Sequence, residues 1–128
     1  MPPPILRLVD SITELGPQDA GCLAVSGSHG GISSARYAAA ARPLLSIFND
    51  AGGGKDRAGL AALAYLQAQD LAACTVSSAS ARIGEARSTQ ADGIISQANA
   101  GAQALGVRPG QSCQECINKI LSLPRRSP

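Results

Sequence analysis

The single histidine of the chain, His29, lies in the segment GSHGG, directly after the apolar run CLAVS. Glycines on both sides leave room for a ligand, and an imidazole titrates near neutral pH, which suits proton transfer. We expect His29 to act as a general acid or base, with Ser28 as a candidate nucleophile. Because GSHGG does not match the G-x-S-x-G turn of many hydrolases, attack by a water molecule stays open.

A second group of polar residues follows the apolar run LLSIF, in the segment NDAGGGKD. Asp50 could orient the imidazole, and Asn49 and Lys55 could contact a ligand. The segment is not a nucleotide-binding P-loop, since Asn49 replaces the first glycine and Asp56 replaces the hydroxyl residue that would bind magnesium. Asn-Asp before three glycines is also typical of a plain turn.

A third polar group follows the apolar run LAACTV and contains Ser80, Arg82 and Arg87. Arginine side chains can neutralise an anionic ligand, and the backbone amides of Gly30 and Gly31 could hold its oxyanion or carboxylate. The three groups together predict a site for a small anionic or amide-bearing molecule.

These three polar groups can form one site only if the strands before them end at the same edge of a sheet. Apolar runs at residues 5–9, 22–26, 44–48 and 71–76 alternate with helical composition at 33–42 and 55–69. That order predicts an α/β fold, a small three-layer, Rossmann-like and mostly parallel sheet of three to five strands flanked by helices. Loops at the carboxyl ends of parallel strands share one edge, where ligands bind in such folds at the point where strand order reverses.

The C-terminal third is predicted to be helical. Thr89 and Asp92 resemble a helix start, and apolar residues spaced three and four apart extend to Gly106, which predicts one helix over about 90–105. A second helix begins at Ser112, with Glu115 completing a capping box. The chain is expected to form one domain over 1–128, with 123–128 as a loose tail.

The four cysteines are expected to be reduced core residues. Cys113 and Cys116 form a C-x-x-C pair, but a zinc site needs two further ligands, and no second pair is present. Both thiols share the apolar face of the last helix, while Cys22 and Cys74 lie in predicted strands. No cofactor or metal is predicted, although His29 with a nearby carboxylate leaves a metal site open.

Composition limits the partners and the location. The 128 residues carry a net charge of +2, and the basic residues are scattered, which disfavours nucleic acid and anionic membranes as partners. No run approaches the length of a membrane span, and the N-terminus does not resemble a targeting segment, so a cytoplasmic protein is expected.

Two functions are compatible with these features. The first is a small hydrolase or lyase that acts on a small metabolite through His29. The alternative is a noncatalytic accessory subunit, or a small-ligand-binding protein, within a larger enzyme assembly. A small sheet has exposed edges, so both hypotheses predict association, as a homo-oligomer or in a hetero-complex.

Overall fold

The computed structural model describes residues 4–53 and 60–122. It contains a five-stranded sheet in which the strand order follows the chain, and the strands are β1 (Leu6–Val9), β2 (Leu23–His29), β3 (Leu45–Asn49), β4 (Ala72–Val76) and β5 (Ile95–Ala98). The first four strands are parallel, and β5 is antiparallel to β4. The predicted α/β fold class is therefore confirmed.

Five helices accompany the sheet in the described part of the chain, together with two short 3-10 turns at Ile12–Glu14 and Pro17–Asp19. The helices are α1 (Ile32–Ala41), α2 (Ala61–Gln67), α3 (Ala86–Asp92), α4 (Ala100–Ala104) and α5 (Cys113–Leu121). None of the helices in these residues is long and apolar enough to cross a membrane.

The sheet has a hydrophobic core on each face, which is why its strands are continuous apolar runs. On one face Phe48 packs with Ala35 and Ala38 of α1, whose small side chains let the helix approach the sheet closely. On the other face Ile47 belongs to the same core as Ile117 of α5. Helix–sheet–helix layering of this kind places the strand ends, and the loops that leave them, at the two open edges of the layers.

The sequential strand order corrects one expectation. Without a reversal of strand order, the sheet has no topological switch point to mark a binding crevice. A site at the carboxyl ends of the strands must therefore rest on the contacts between the loops themselves.

The predicted helix over 90–105 is wrong. Helix α3 ends at Asp92, β5 follows, and the short α4 comes after it. Thr89 is buried inside α3 and donates its hydroxyl to the Ser26 carbonyl at 3.0 Å, so it is not a helix cap. Ile95 is buried in the sheet, because pairing with β4 overrides the helical spacing of its neighbours.

The helix start at Ser112 is confirmed. The Ser112 hydroxyl accepts the backbone N–H of Glu115, and the Glu115 carboxylate accepts the Ser112 N–H. The predicted tail at 123–128, together with Lys55 and Asp56, lies outside the described residues.

Candidate functional site

His29 is the last residue of β2 and the point where this strand meets solvent. Residues Leu23 to Gly27 are buried, whereas His29 is exposed. The parallel register places His29 beside Asn49 of β3, and the Gly30 N–H donates to the Asn49 carbonyl at 2.9 Å. Within the described residues, the imidazole makes no hydrogen bond and no ion pair.

Asp50 follows directly after β3 and is held in place by backbone amides. Its Oδ1 atom accepts the N–H of Gly52 at 2.8 Å and the N–H of Ser78 at 3.0 Å. Its own N–H donates to the Val76 carbonyl at the end of β4. Two hydrogen bonds to one carboxylate oxygen fix the group, and Oδ2 has no partner in the part of the chain that the structure describes.

Asn49 holds the loops after β3 and β4 together. Its side chain is fully buried, donates to the Ala81 carbonyl at 3.0 Å and accepts the Ala51 N–H at 2.8 Å. The turn that follows has positive φ angles at three successive residues, Ala51, Gly52 and Gly53. Asn49 therefore fixes this turn against the loop after β4, and its polar atoms are used for structure.

The loop after β4 touches the end of β2 directly. The Gly84 N–H donates to the Gly27 carbonyl at 2.7 Å, and a Cβ on Gly27 would collide with the backbone of Gly84, Glu85 and Asp10. We call residues 27–31, 49–53 and 77–85, which meet at this edge of the sheet, the rim. Segments of all three polar groups named from the sequence lie in the rim, but Arg87 lies in α3 outside it and Lys55 is not described.

Gly27 and Gly30 make structural contacts and do not have the ligand-binding roles expected from the sequence. Gly27 is a glycine because two backbone segments pack against it, not because a ligand needs room. The amide of Gly30 is donated to Asn49 and is not free to bind an oxyanion. Gly31 is the N-cap residue of α1 and supplies no side-chain acceptor, so the first-turn amides of that helix have no side-chain cap.

Ser28 also has a structural contact. Its Oγ accepts the N–H of Ile12 at 2.9 Å, which holds the 3-10 turn after β1 against β2. The register of β2 against β3 shifts between Val25 and His29, so regular strand alternation does not set how Ser28 and His29 are oriented to each other. No hydrogen bond between their side chains occurs in the described structure.

Arg82 and Arg87 do not converge on one ligand. The Arg82 side chain is 82% exposed, lies 3.8 Å from the Glu85 carboxylate and lines a cleft of about 490 Å³. Arg87 lines a different groove, which also contains three carboxylates. The other residues of the first cleft are Ser78, Ala79, Ser80, Ala81, Ile83, Ser88 and Asp92, and those of the groove are Leu8, Asp10, Glu14, Glu85 and Ala86.

The cleft beside Arg82 is polar, but most of its polar groups are already hydrogen-bonded to other groups of the same chain. The Ser80 hydroxyl donates to the Ser77 carbonyl at 2.8 Å and accepts the Ile94 N–H at 2.9 Å. Ser88 accepts the N–H of Arg82, and Asp92 accepts the hydroxyl of Ser88. In the described residues His29 and Asp50 line neither this cleft nor the groove of Arg87.

The thiols are buried and protected from ionisation. All four cysteines are free and buried, and Cys113 and Cys116 lie on the inner face of α5 as predicted. Burial raises the pKa of Cys113 to about 12 and raises the pKa of Cys74 well above its usual range. No three His, Cys, Asp or Glu side chains in the described part of the chain are grouped so that they could hold a metal ion.

Asp10 is a rim neighbour that the sequence interpretation missed. It comes directly after β1, and its Oδ1 accepts the Ala86 N–H at 2.9 Å, which ties the start of α3 to the first strand. The signal was present in the sequence, since Asp10 directly follows the apolar run ILRLV, and Asp50 follows LLSIF with only Asn49 between.

Comparison of the chain with protein families, with curated proteins and with solved structures found no match. The function must therefore be argued from the chemistry of the chain's own residues.

Proposed function

We propose that this protein is a small hydrolase or lyase that acts on a small anionic or amide-bearing metabolite at the rim, with His29 as the general acid or base. The observation that carries this proposal is the placement of His29. An exposed imidazole without a hydrogen-bond partner in the described residues ends a strand whose first five residues are buried, next to the strand that leads into a fixed carboxylate.

In this proposal Asp50, which comes one residue after the strand partner of His29, orients the imidazole. One carboxylate oxygen is held by the amides of Gly52 and Ser78, so the group keeps its position whether or not a ligand is present. The other oxygen would accept a hydrogen bond from the imidazole N–H or from a substrate N–H. A carboxylate that orients a histidine in this way selects its tautomer and stabilises the charged form during proton transfer.

The attacking group in a hydrolysis would be a water molecule. The Ser28 Oγ already accepts the Ile12 N–H, so this hydroxyl is engaged in a structural contact. Developing negative charge on the substrate would be met by the first-turn amides of α1, which follow Gly31, and by Arg82 where a substrate extends into its cleft.

A noncatalytic ligand-binding or accessory subunit is the second candidate. It is favoured by the number of rim groups that already have partners, namely the side chains of Asn49, Ser77 and Ser80 and the amide of Gly30. With these groups occupied, the rim offers fewer free atoms for transition-state stabilisation than most active sites.

A cytoplasmic location belongs to the same proposal. Four free thiols are typical of a compartment that keeps cysteines reduced.

The decisive experiment measures metabolite consumption. Purified protein is incubated with a defined mixture of small carboxylic acids, phosphate esters and amides, and losses are followed by mass spectrometry. We expect one compound to be consumed by the wild type, with at least a hundredfold slower loss in His29→Gln and in Asp50→Asn, in line with the usual contribution of acid–base groups of about 10²–10⁴-fold.

Asp70→Asn is the matched control, because Asp70 is an exposed carboxylate just before β4, at the opposite edge of the sheet from the rim, and asparagine tolerates its positive φ angle. Equal consumption by the wild type and His29→Gln would remove His29 from the mechanism. Retention of a metabolite without conversion would establish the ligand-binding alternative instead.

A further inference from the structure

The pairing of β2 with β3 is irregular just before His29. Val25 and His29 lie four residues apart on β2, whereas their partners on β3, Ile47 and Asn49, lie only two residues apart. The residues between them on β2, 26–28, include no partner of β3 in the described part of the chain. β2 therefore contains a bulge with two extra residues. Bulges are frequent beside active sites, because they redirect the side chains that follow them.

The bulge sets the position of His29 along the sheet. A regular continuation of the pairing from Val25 would place Gly27 opposite Asn49. His29 would then lie about 7 Å farther along the strand, since two strand residues span about that length. With the bulge, His29 itself lies opposite Asn49, which directly precedes Asp50. The bulge thus brings the backbone of His29 to the level at which the loop after β3 begins.

Groups outside the pairing with β3 hold the bulge in place. The Thr89 hydroxyl of α3 donates to the Ser26 carbonyl at 3.0 Å, and both residues are fully buried. The Gly84 N–H, in the loop before α3, donates to the Gly27 carbonyl at 2.7 Å. Two successive carbonyls of the bulge therefore accept hydrogen bonds from α3 and from the loop that leads into it.

Thr89 is the side chain in this pair of contacts, since the donor of Gly84 is a backbone amide. The Thr89 hydroxyl also lies 3.4 Å from the Glu85 carbonyl of its own helix, the acceptor that a helical threonine commonly uses. The contact with Ser26 is the shorter one, so the single hydroxyl proton is directed to the bulge and not to the helix.

We propose that Thr89 is a positioning residue for His29, because its hydroxyl holds the bulge that sets the level of His29 at the rim. The inference rests on the proposed function, in which His29 transfers a proton. A displacement of about 1 Å at a reacting group can cost about a hundredfold in rate. Thr89 is fully buried and acts through Ser26, without contact to a substrate.

A spectroscopic measurement tests the placement without a substrate. The Gly30 N–H donates to the Asn49 carbonyl at 2.9 Å, a contact that follows from the pairing of His29 with Asn49. NMR detects such a hydrogen bond as a scalar coupling between the Gly30 nitrogen and the Asn49 carbonyl carbon. We expect this coupling in the wild type and in Thr89→Ser, which keeps the hydroxyl, and its loss in Thr89→Val.

Thr75→Val is the matched control. Thr75 is a fully buried threonine whose hydroxyl is hydrogen-bonded to the Ser96 hydroxyl at 2.8 Å, and its strand, β4, does not pair with β2. This variant also loses a hydrogen bond of a buried threonine, so it reports what a fall in stability does by itself. We expect the coupling between Gly30 and Asn49 to be unchanged in Thr75→Val.

Turnover of the metabolite found in the consumption assay should follow the coupling. We expect kcat to be about 10–100-fold lower in Thr89→Val with an unchanged KM, because the substrate contacts are kept while the imidazole is displaced. Thr89→Ser and Thr75→Val should have the kcat and KM of the wild type.

An unchanged coupling in Thr89→Val would overturn the proposal, and so would an equal loss in Thr89→Val and Thr75→Val. Absence of the coupling in the wild type would overturn it as well, a result that does not require any variant to fold. If no metabolite is consumed, the proposed function fails, while the coupling still decides whether Thr89 sets the position of His29.

Discussion

The Asp50 carboxylate accepts the backbone N–H of Ser78 at 3.0 Å, which joins the loop after β3 to the loop after β4. The same oxygen accepts the Gly52 N–H of its own turn. One side chain thus closes a turn and holds a neighbouring loop. The proposed role of Asp50 in proton transfer would need this kind of fixation, because proton transfer requires hydrogen-bond geometry at the moment of reaction.

Replacement of Asp50 should show how much its hydrogen bonds contribute to the stability of the fold. Asp50→Ala leaves two exposed amides without this acceptor, and because water can replace it we expect a loss of about 0.5–1.5 kcal/mol in the free energy of unfolding. Asp50→Asn keeps an oxygen for both amides and should lose less. Urea denaturation measures both values. Equal losses in the two variants would show that the amides find other acceptors.

Gly27 is the position where the rim is packed most tightly. A methyl group there meets the backbone of Gly84, Glu85 and Asp10, and backbone cannot move aside as a flexible side chain can. We expect Gly27→Ala to lower the free energy of unfolding by about 1–3 kcal/mol, the usual cost of overpacking. The control is Gly16→Ala, whose added methyl meets the end of the Gln18 side chain. Similar melting temperatures for the two variants would contradict this prediction.

The strands and the edge at which they end could be predicted from local pattern. Runs of buried residues bounded by glycine and serine indicate strands of a covered parallel sheet, and the loops after such strands share an edge by geometry alone. That is why His29 and Asp50 could be assigned to neighbouring loops from the sequence. The end of β2 was placed at residue 26, three residues too early, because a polar segment such as SGSH is not typical of a strand.

Contacts distant in sequence could not be predicted in the same way. The spacing of Ile94, Ile95, Ala98 and Ala102 fits a helix, yet this segment pairs with β4 in the sheet. Gly30 resembled a ligand-binding glycine, but its amide bonds to Asn49, nineteen positions further along the chain. Only tertiary structure decides between such alternatives, since the local preference of a short segment is weak.

Thr89 provides a test of that tertiary contact. Its buried hydroxyl donates to the Ser26 carbonyl at 3.0 Å and so fixes α3 against β2. Thr89→Val keeps the shape but leaves the carbonyl without this donor, and we expect a loss of about 1–3 kcal/mol. Thr13→Val, at an exposed position, should change the free energy of unfolding by less than about 0.5 kcal/mol. A neutral Thr89→Val variant would show that Ser26 bonds elsewhere or to water.

Stability should fall at alkaline pH because of the buried thiols. Burial raises the pKa of Cys113 from 9.0 to about 12, so the folded state keeps this proton while the unfolded chain loses it above pH 9. Below pH 9 the thiol is protonated in both states and has no effect. Between pH 9 and about 12 ionisation stabilises the unfolded chain, and the free energy of unfolding falls by up to about 1.4 kcal/mol per pH unit for each such thiol. Cys74, whose pKa is also raised, adds a loss of the same sign.

The variant Cys113→Ala isolates this contribution from those of the other groups of the chain. Urea denaturation at about pH 8 and about pH 10 should show a drop in stability that is smaller by about 1 kcal/mol in Cys113→Ala than in the wild type. The comparison uses the pH-dependent difference within each protein, so the cavity left by the missing sulfur cancels. An identical drop in both proteins would mean that Cys113 reaches solvent in the folded state and ionises there as readily as in the unfolded chain.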